Sequence, residues 1–392
     1  MHLNPHLAAT QAPPVMEARR WISDATFPPD RPLLNLSQAA PVAAPPAPLR
    51  AAMAAALDDP ATHIYGPVLG LPALRAALAA RMRALYRGEV REGQIAITSG
   101  CNQAFCATIS ALAAPGDAVI LPTPWYFNHA MWLSMQGIET TPLPCDQSLI
   151  PDPEAARALI TARTRAIVLV TPNNPTGTEY PAQTLKAFRD LARETGIALI
   201  VDETYRDFHS LDGPPHDLFT DPDWDDTLIH LYSFSKAYRL TGHRVGAIAA
   251  SADRLSQIEK ILDSVTICPS GLGQRAALWG LGNLDDWLAG ERREILARRD
   301  HLVAGFATLP GWHLRACGAY FGYVRHPFDI PSDQLAKRLV QEASLLVLPG
   351  TMFAPASDRD APHHLRIAFA NADAEGIAEL TRRLHAFGQA NS

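Results

Sequence analysis

The pattern of apolar and polar positions changes character several times along the chain. Between residues 95 and 250 short, nearly uninterrupted apolar runs recur: Ile95–Thr98, Ala118–Leu121, Ile138–Leu143, Ala166–Val170, Ala198–Asp202, Leu228–Ser233 and Val245–Ala250. Strands of this kind are buried on both faces of a mainly parallel sheet, and helical segments separate them. The pattern predicts a seven-stranded α/β layer with loops gathered at strand ends, where ligands of such sheets bind. Ahead of it, one helix is expected from about Pro48 to Leu57. A second, from Pro72 to about Tyr86, carries Leu74, Leu78, Met82 and Leu85 at helical spacing. After Ala250 the period is helical to about Thr308. A smaller α+β section follows, with strand candidates at Phe321–Arg325, Leu345–Leu348 and Leu365–Ala370 and a last helix from about Asp373 to Phe387.

Proline adds one correction to this picture. Eleven of the 33 prolines fall in residues 1–60, a density that forbids long helices and central strands. The start of the chain is expected to be an extended arm lying over another surface. The resulting division is 1–48 as arm and part of a small domain, 49–290 as a large α/β domain, and 291–392 as a small α+β domain. A chain of 392 residues, 47% hydrophobic, has ample material for two packed lobes.

Charge and cysteine usage narrow the partners. The net charge is −6 with both signs interspersed, and no basic stripe marks a nucleic-acid or membrane surface. No window approaches a membrane span, and residues 1–20 lack the apolar core of a signal peptide. The five cysteines (101, 106, 145, 268 and 317) are odd in number and lack CxxC spacing. Free thiols in a reducing, cytoplasmic setting are expected, with no disulfide framework and no metal site.

Four features at predicted strand ends bear on chemistry. Thr98-Ser99-Gly100-Cys101-Asn102-Gln103 joins a strand to a helix, whose unpaired amides and dipole favour a phosphate. Thr171-Pro172-Asn173-Asn174-Pro175-Thr176-Gly177 follows another strand, and Asp202 ends a third with Tyr205 three residues on. Lys236 follows a fourth, between Ser233, Ser235 and Arg244. Each has an ordinary reading when taken singly: a turn, a helix cap, a surface lysine.

Taken in order, Asn174-Pro175-Thr176-Gly177, Asp202-Glu203-Thr204-Tyr205 and Ser233-x-Ser235-Lys236 with Arg244 resemble the class I/II aminotransferases, the fold-type-I pyridoxal-phosphate enzymes. Tyr65-Gly66-x-x-x-Gly70-x-x-x-Leu74-Arg75 and Leu365-Arg366-Ile367-Ala368-Phe369 extend the resemblance from about Asn35 to Phe387. It implies a seven-stranded large domain, a smaller α+β domain, pyridoxal 5′-phosphate as cofactor, and transfer of an amino group from an L-α-amino acid to a 2-oxo acid.

By the same resemblance Lys236 carries the cofactor as a Schiff base and later moves a proton. Asp202 faces the pyridine nitrogen, supported by His129. Asn174 and Tyr205 hold the 3′-oxygen, and Tyr126 stacks on the ring. Gly100, Cys101, Asn102, Ser233 and Arg244 hold the phosphate, and Arg366 receives the substrate α-carboxylate. Tyr65 corresponds to a residue lent by a neighbouring subunit, which implies a homodimer with shared sites.

One departure bears on the substrate. Aspartate-type members carry an arginine a few residues before the proline equivalent to Pro269, but Asp263-Ser264-Val265-Thr266-Ile267-Cys268-Pro269 contains none. Aspartate is therefore not the expected amino donor. Trp125, Tyr320 and Phe321 are candidates for lining the substrate pocket, with core packing as the alternative. Reactions that share this scaffold, carbon–sulfur elimination and amino-acid oxidation or synthase chemistry, are the competing readings. A winged-helix regulator or a nicotinamide oxidoreductase fits poorly: the start of the chain is too short for the first, and no GxGxxG follows an early strand for the second.

Overall fold

The computed structural model describes residues 2–391. All seven apolar runs become strands: β1 (Ile95–Thr98), β2 (Ala118–Thr123), β3 (Glu139–Pro144), β4 (Thr164–Val170), β5 (Ala198–Asp202), β6 (Leu228–Ser233) and β7 (Gly246–Ala249). They form one sheet in the order β1-β7-β6-β5-β4-β2-β3. Neighbours run parallel except β7, which is antiparallel to both β1 and β6.

Side-chain alternation explains why the strands read as unbroken apolar runs. Ile95, Ile97, Leu199 and Val201 enter one core, together with Leu74, Leu78 and Met82 of the helix Pro72–Tyr86. Ala96, Ile200, Ile229 and Leu231 enter the opposite core, with Phe105 of the helix Cys101–Leu112 and Leu255 of Ala252–Thr266. Both faces are covered, so neither needs polar residues. β3 is the exception. It lies at a sheet edge, partly exposed, and tolerates Pro142 and Pro144 there.

A four-stranded antiparallel sheet forms the second layer system: β8 (His313–Gly318), β9 (Phe321–Arg325), β10 (Leu348–Pro349) and β11 (His364–Ala368), in the order β10-β11-β9-β8. β8 was not expected. The single strand expected at Leu345–Leu348 is split: Leu345–Leu346 pairs in parallel with Leu34–Asn35, while Leu348–Pro349 pairs with β11. The strand expected to reach Ala370 stops at Ala368, where the chain turns into a short 3₁₀ segment.

The start of the chain is not extended throughout. Pro5–Ala9 and Pro14–Arg20 are short helices that open on proline, where the missing N–H costs nothing, and Asn4 caps the first through His6 N at 2.9 Å. The first packs on the helix Phe127–Met135, with Thr10 Oγ1 2.8 Å from Ser134 Oγ. The second buries Ala18 against Phe127, Leu348 and Phe353. The helix Asp285–Ala307 runs through residue 290, and its Leu288 packs against both the large-sheet core and the small-sheet core.

Candidate active site

The C-terminal ends of β1, β4, β5 and β6 converge on a cavity of about 300 Å³. The reversed strand β7 shapes its floor. Its first residue, Gly246, pairs with both Ser233 and Thr98, and a Cβ at Gly246 would lie 2.6 Å from Cys101 N. Only glycine lets these strand ends sit so close to the start of the helix Cys101–Leu112. Gly100 caps that helix at φ +88, and a Cβ there would lie 2.1 Å from the Arg244 guanidinium. The helix N-terminus and the arginine thus face one small space, a cradle for an anion. Ser233 and Ser235 border it, with Ser233 Oγ accepting from Ser235 N at 3.2 Å. Arg244 itself is anchored by donation to Thr241 O at 3.0 Å.

Lys236 stands on the short turn of helix Phe234–Ala237 that follows β6. Its Nζ donates to Ala39 O at 2.7 Å and lies 5.7 Å from the Tyr205 ring centre. Burial, then the nearby Arg244 and Arg366 charges, lowers its pKa to about 8. A neutral, nucleophilic amine is therefore available near neutral pH. In cofactor-free enzyme the rate of cofactor capture should rise as pH increases through about 8 and level off above it, measured by stopped-flow absorbance. A midpoint near the ordinary lysine value would contradict this environment.

Asp202 is 3% exposed. Thr204 N donates to its Oδ1 at 3.0 Å, Cys101 Sγ lies 3.7 Å from Oδ1, and His129 Nε2 lies 3.4 Å from Oδ2. Burial alone would push the carboxyl up, but His129 and Thr204 outweigh it and hold the pKa below the usual range. His129 is fixed by stacking on Phe105 at 3.8 Å and by an edge contact with Tyr126 at 5.0 Å. A buried, ionised carboxylate of this kind fits a cationic ring nitrogen.

The turn 171–177 is rigid because Asn173 ties it. Its Oδ1 accepts from Thr176 N at 3.1 Å and Oγ1 at 2.9 Å, and Gly177, at φ +75, presses on Gly318. Asn174 is left to accept from Arg366 Nη1 at 3.0 Å, joining residues 192 positions apart. Arg366, 2% exposed, also donates to Ser37 O, while its Nε is buried with no hydrogen-bond partner. Burial lowers its pKa to about 10, still well above neutrality. An arginine with spare donors beside the cavity is suited to a carboxylate. Burial raises the Tyr205 phenol well above its ordinary value, so it remains a neutral donor.

Cys101, Asn102, Tyr126, Asn174, Asp202, Tyr205, Ser233, Lys236 and Arg244 all line the one cavity. Gly100 shapes it from below; Arg366 is not among the lining residues but bonds Asn174, which is. Tyr65 does not line it: within one chain it is 77% exposed. Trp125, Tyr320 and Phe321 are not among the lining residues either. Tyr320 and Phe321 are buried against Tyr205 at 5.4 and 5.0 Å, which is core packing. Sequence reasoning missed Gln38, Thr204, Ser235 and Thr241, which also line the cavity. Ser235 and Thr204 carried a signal, their places in Ser-x-Ser-Lys and Asp-Glu-Thr-Tyr.

A family model described as aminotransferase class I and II matches residues 31–384. The chain belongs to this family. An aromatic aminotransferase of Arabidopsis thaliana is 30% identical over 83% of this chain and 80% of its own length. An arginine–pyruvate transaminase of Pseudomonas aeruginosa is 30% identical over 90% of this chain and 89% of its own. The aspartate aminotransferase of Thermus thermophilus with maleate superimposes at a TM-score of 0.88, with 26% identity, covering 98% of this chain and 99% of that one. The protein is a pyridoxal-phosphate-dependent aminotransferase of fold type I, and the cradle, the buried Asp202 and the pKa-lowered Lys236 fit that cofactor. Among the described residues no helix of the aminotransferase is long and apolar enough to cross a membrane. No group of three or more His, Cys, Asp or Glu side chains in them is placed to hold a metal ion.

Proposed function

We propose that the aminotransferase moves amino groups between an L-α-amino acid and a 2-oxo acid, with aspartate not its preferred donor and Lys236 as its catalytic residue. The observation that carries this reading is the convergence of Lys236, Asp202 and the Asn174–Arg366 pair on one cavity. Pyridoxal phosphate supplies an aldehyde that captures amines and a ring that draws electrons from the adjoining carbon. The chain's residues do the rest. Gly100, Cys101, Asn102, Ser233 and Arg244 hold the phosphate, and Tyr126 covers the ring. Asp202, backed by His129, keeps the ring nitrogen protonated. Asn174 and Tyr205 hold the 3′-oxygen, and Arg366 orients the substrate through its α-carboxylate. With the cofactor and substrate bound, Lys236 Nζ would take the proton from the substrate α-carbon as a base and give it back as an acid.

Several further features belong to this proposal. The exposed side chains of Ile64, Tyr65, Val265 and Ile267 suit a second copy, with Gly66 N donating to Cys268 Sγ at 3.4 Å to join the two segments. In such a homodimer Tyr65 would serve the neighbouring cavity. The division into a cofactor domain at 49–290 and a smaller domain at 291–392, joined by part of 1–48, and a cytoplasmic location complete the proposal. Steady-state rates with a panel of amino donors test the substrate preference. Neutral and aromatic donors should exceed aspartate in kcat/KM, and aspartate in first place would refute it.

A further inference from the structure

The segment Leu36–Ala40 crosses the cavity under tight backbone control. Leu36 O accepts from Ala368 N at 2.8 Å, Ser37 O from Arg366, Ala39 O from Lys236 Nζ at 2.7 Å, and Ala40 O from Asn371 Nδ2 at 2.7 Å. Its side chains have separate fates. Leu36 and Ala39 enter the small-sheet core, and the Ser37 hydroxyl turns back to Asn35 Oδ1 at 2.7 Å. Gln38 and Ala40 face the cavity, and of these only Gln38 is long and polar.

Gln38 and Arg19 are both exposed, and one contact between them orients the Gln38 amide. Arg19 Nη2 lies 3.2 Å from Gln38 Oε1. A guanidinium only donates, so the oxygen must face Arg19 and the NH₂ group must face away from it. Arg19 is itself placed by the helix Pro14–Arg20, whose Ala18 is locked among Phe127, Leu348 and Phe353. Among the described residues nothing accepts a hydrogen bond from Gln38 Nε2. Gln38 is exposed, so water serves this NH₂ group until a substrate displaces it.

We propose that Gln38 is a specificity-determining residue that favours substrates whose side chain ends in a carbonyl oxygen, with Arg19 as the positioning residue that fixes its amide. This rests on the aminotransferase reading of the cavity and adds a substrate class to it. A carbonyl acceptor takes the place of that water, whereas a hydrocarbon or thioether end displaces it without replacing its hydrogen bond.

The test compares glutamine with methionine, a donor of the same side-chain length without the carbonyl, on cofactor-loaded enzyme. Gln38→Glu keeps the side-chain size and the Arg19 partner but replaces the donor with an acceptor. The ratio of kcat/KM for glutamine over methionine should fall about tenfold in Gln38→Glu and in Gln38→Leu, the discrimination one neutral hydrogen bond supports. The change should appear in KM for glutamine, with methionine unaffected. Arg19→Ala should lower the ratio less, because the amide can then turn. The dissociation constant of α-methylglutamine, which has no α-hydrogen to lose, should follow the same order. A normal cofactor absorbance band with an unchanged ratio in Gln38→Glu overturns this assignment alone. A wild-type protein that binds no cofactor overturns the reading of the cavity and this assignment with it.

Discussion

Replacing Lys236 with alanine is expected to abolish covalent attachment of the cofactor and to lower transamination by at least about 10⁴-fold, the upper range for loss of a positioned acid–base group. The expectation follows from what Lys236 alone provides. Its Nζ is the one lysine nitrogen at the cavity, and burial with two neighbouring arginines keeps much of it neutral near pH 8. The phosphate cradle and Asp202 do not depend on it, so the variant should still bind cofactor without the covalent band. Its fold should be intact, because an alanine there removes a cation that burial disfavours. Lys236→Arg is the informative companion: it keeps the charge but has no nucleophilic amine, and should be equally inactive. Absorbance spectroscopy with single-turnover rates decides the matter. Appreciable turnover in Lys236→Ala would assign the chemistry to another group.

Asp202→Asn should lower kcat on the order of 10²- to 10³-fold, with a smaller loss of cofactor affinity, as for removal of one electrostatic partner from a preorganised site. The substitution keeps the shape and removes the charge. Asparagine can still accept from Thr204 N and meet His129, so thermal unfolding should change little. The ring nitrogen, however, loses the ionised partner that favours its protonated form, each pKa unit being worth about 1.4 kcal/mol. The native carboxyl is held below its usual range. That support is therefore fully present at and above neutral pH and is lost only as pH falls into the carboxylate range. A variant within about tenfold of the native kcat would show that Asp202 is structural rather than electrostatic.

The large sheet was legible because its strands, apart from the edge strand β3, are covered on both faces, so apolar residues dominate them. Where one face meets water the signal faded. His313–Gly318, largely half-buried, with Arg315 and Cys317 among its residues, carries no continuous run and went unread. The two N-terminal helices were hidden by the proline count, although Pro5 and Pro14 sit where proline suits a helix. Within the site, residues at strand ends were readable because the motif and the strand end coincide, as at Asp202 and Ser233. Gln38 and Thr241 belong to no motif. Their place at the cavity depends on how distant segments wrap, as does the bond between Asn174 and Arg366. The arginine was singled out by its motif; its partner was not.

The reversal of β7 has a consequence for how tightly the site can be inherited as a unit. Because β7 runs antiparallel to β6, the chain returns from Ser233 to Gly246 at the same end of the sheet, through the link of residues 234–245. Lys236 and Arg244, the groups proposed to anchor the cofactor at its two ends, both ride on that link. Their spacing is set by one local loop closure rather than by the packing of separate helices. Insertions between them should be tolerated far less than in the connections that deliver Asn174 and Asp202.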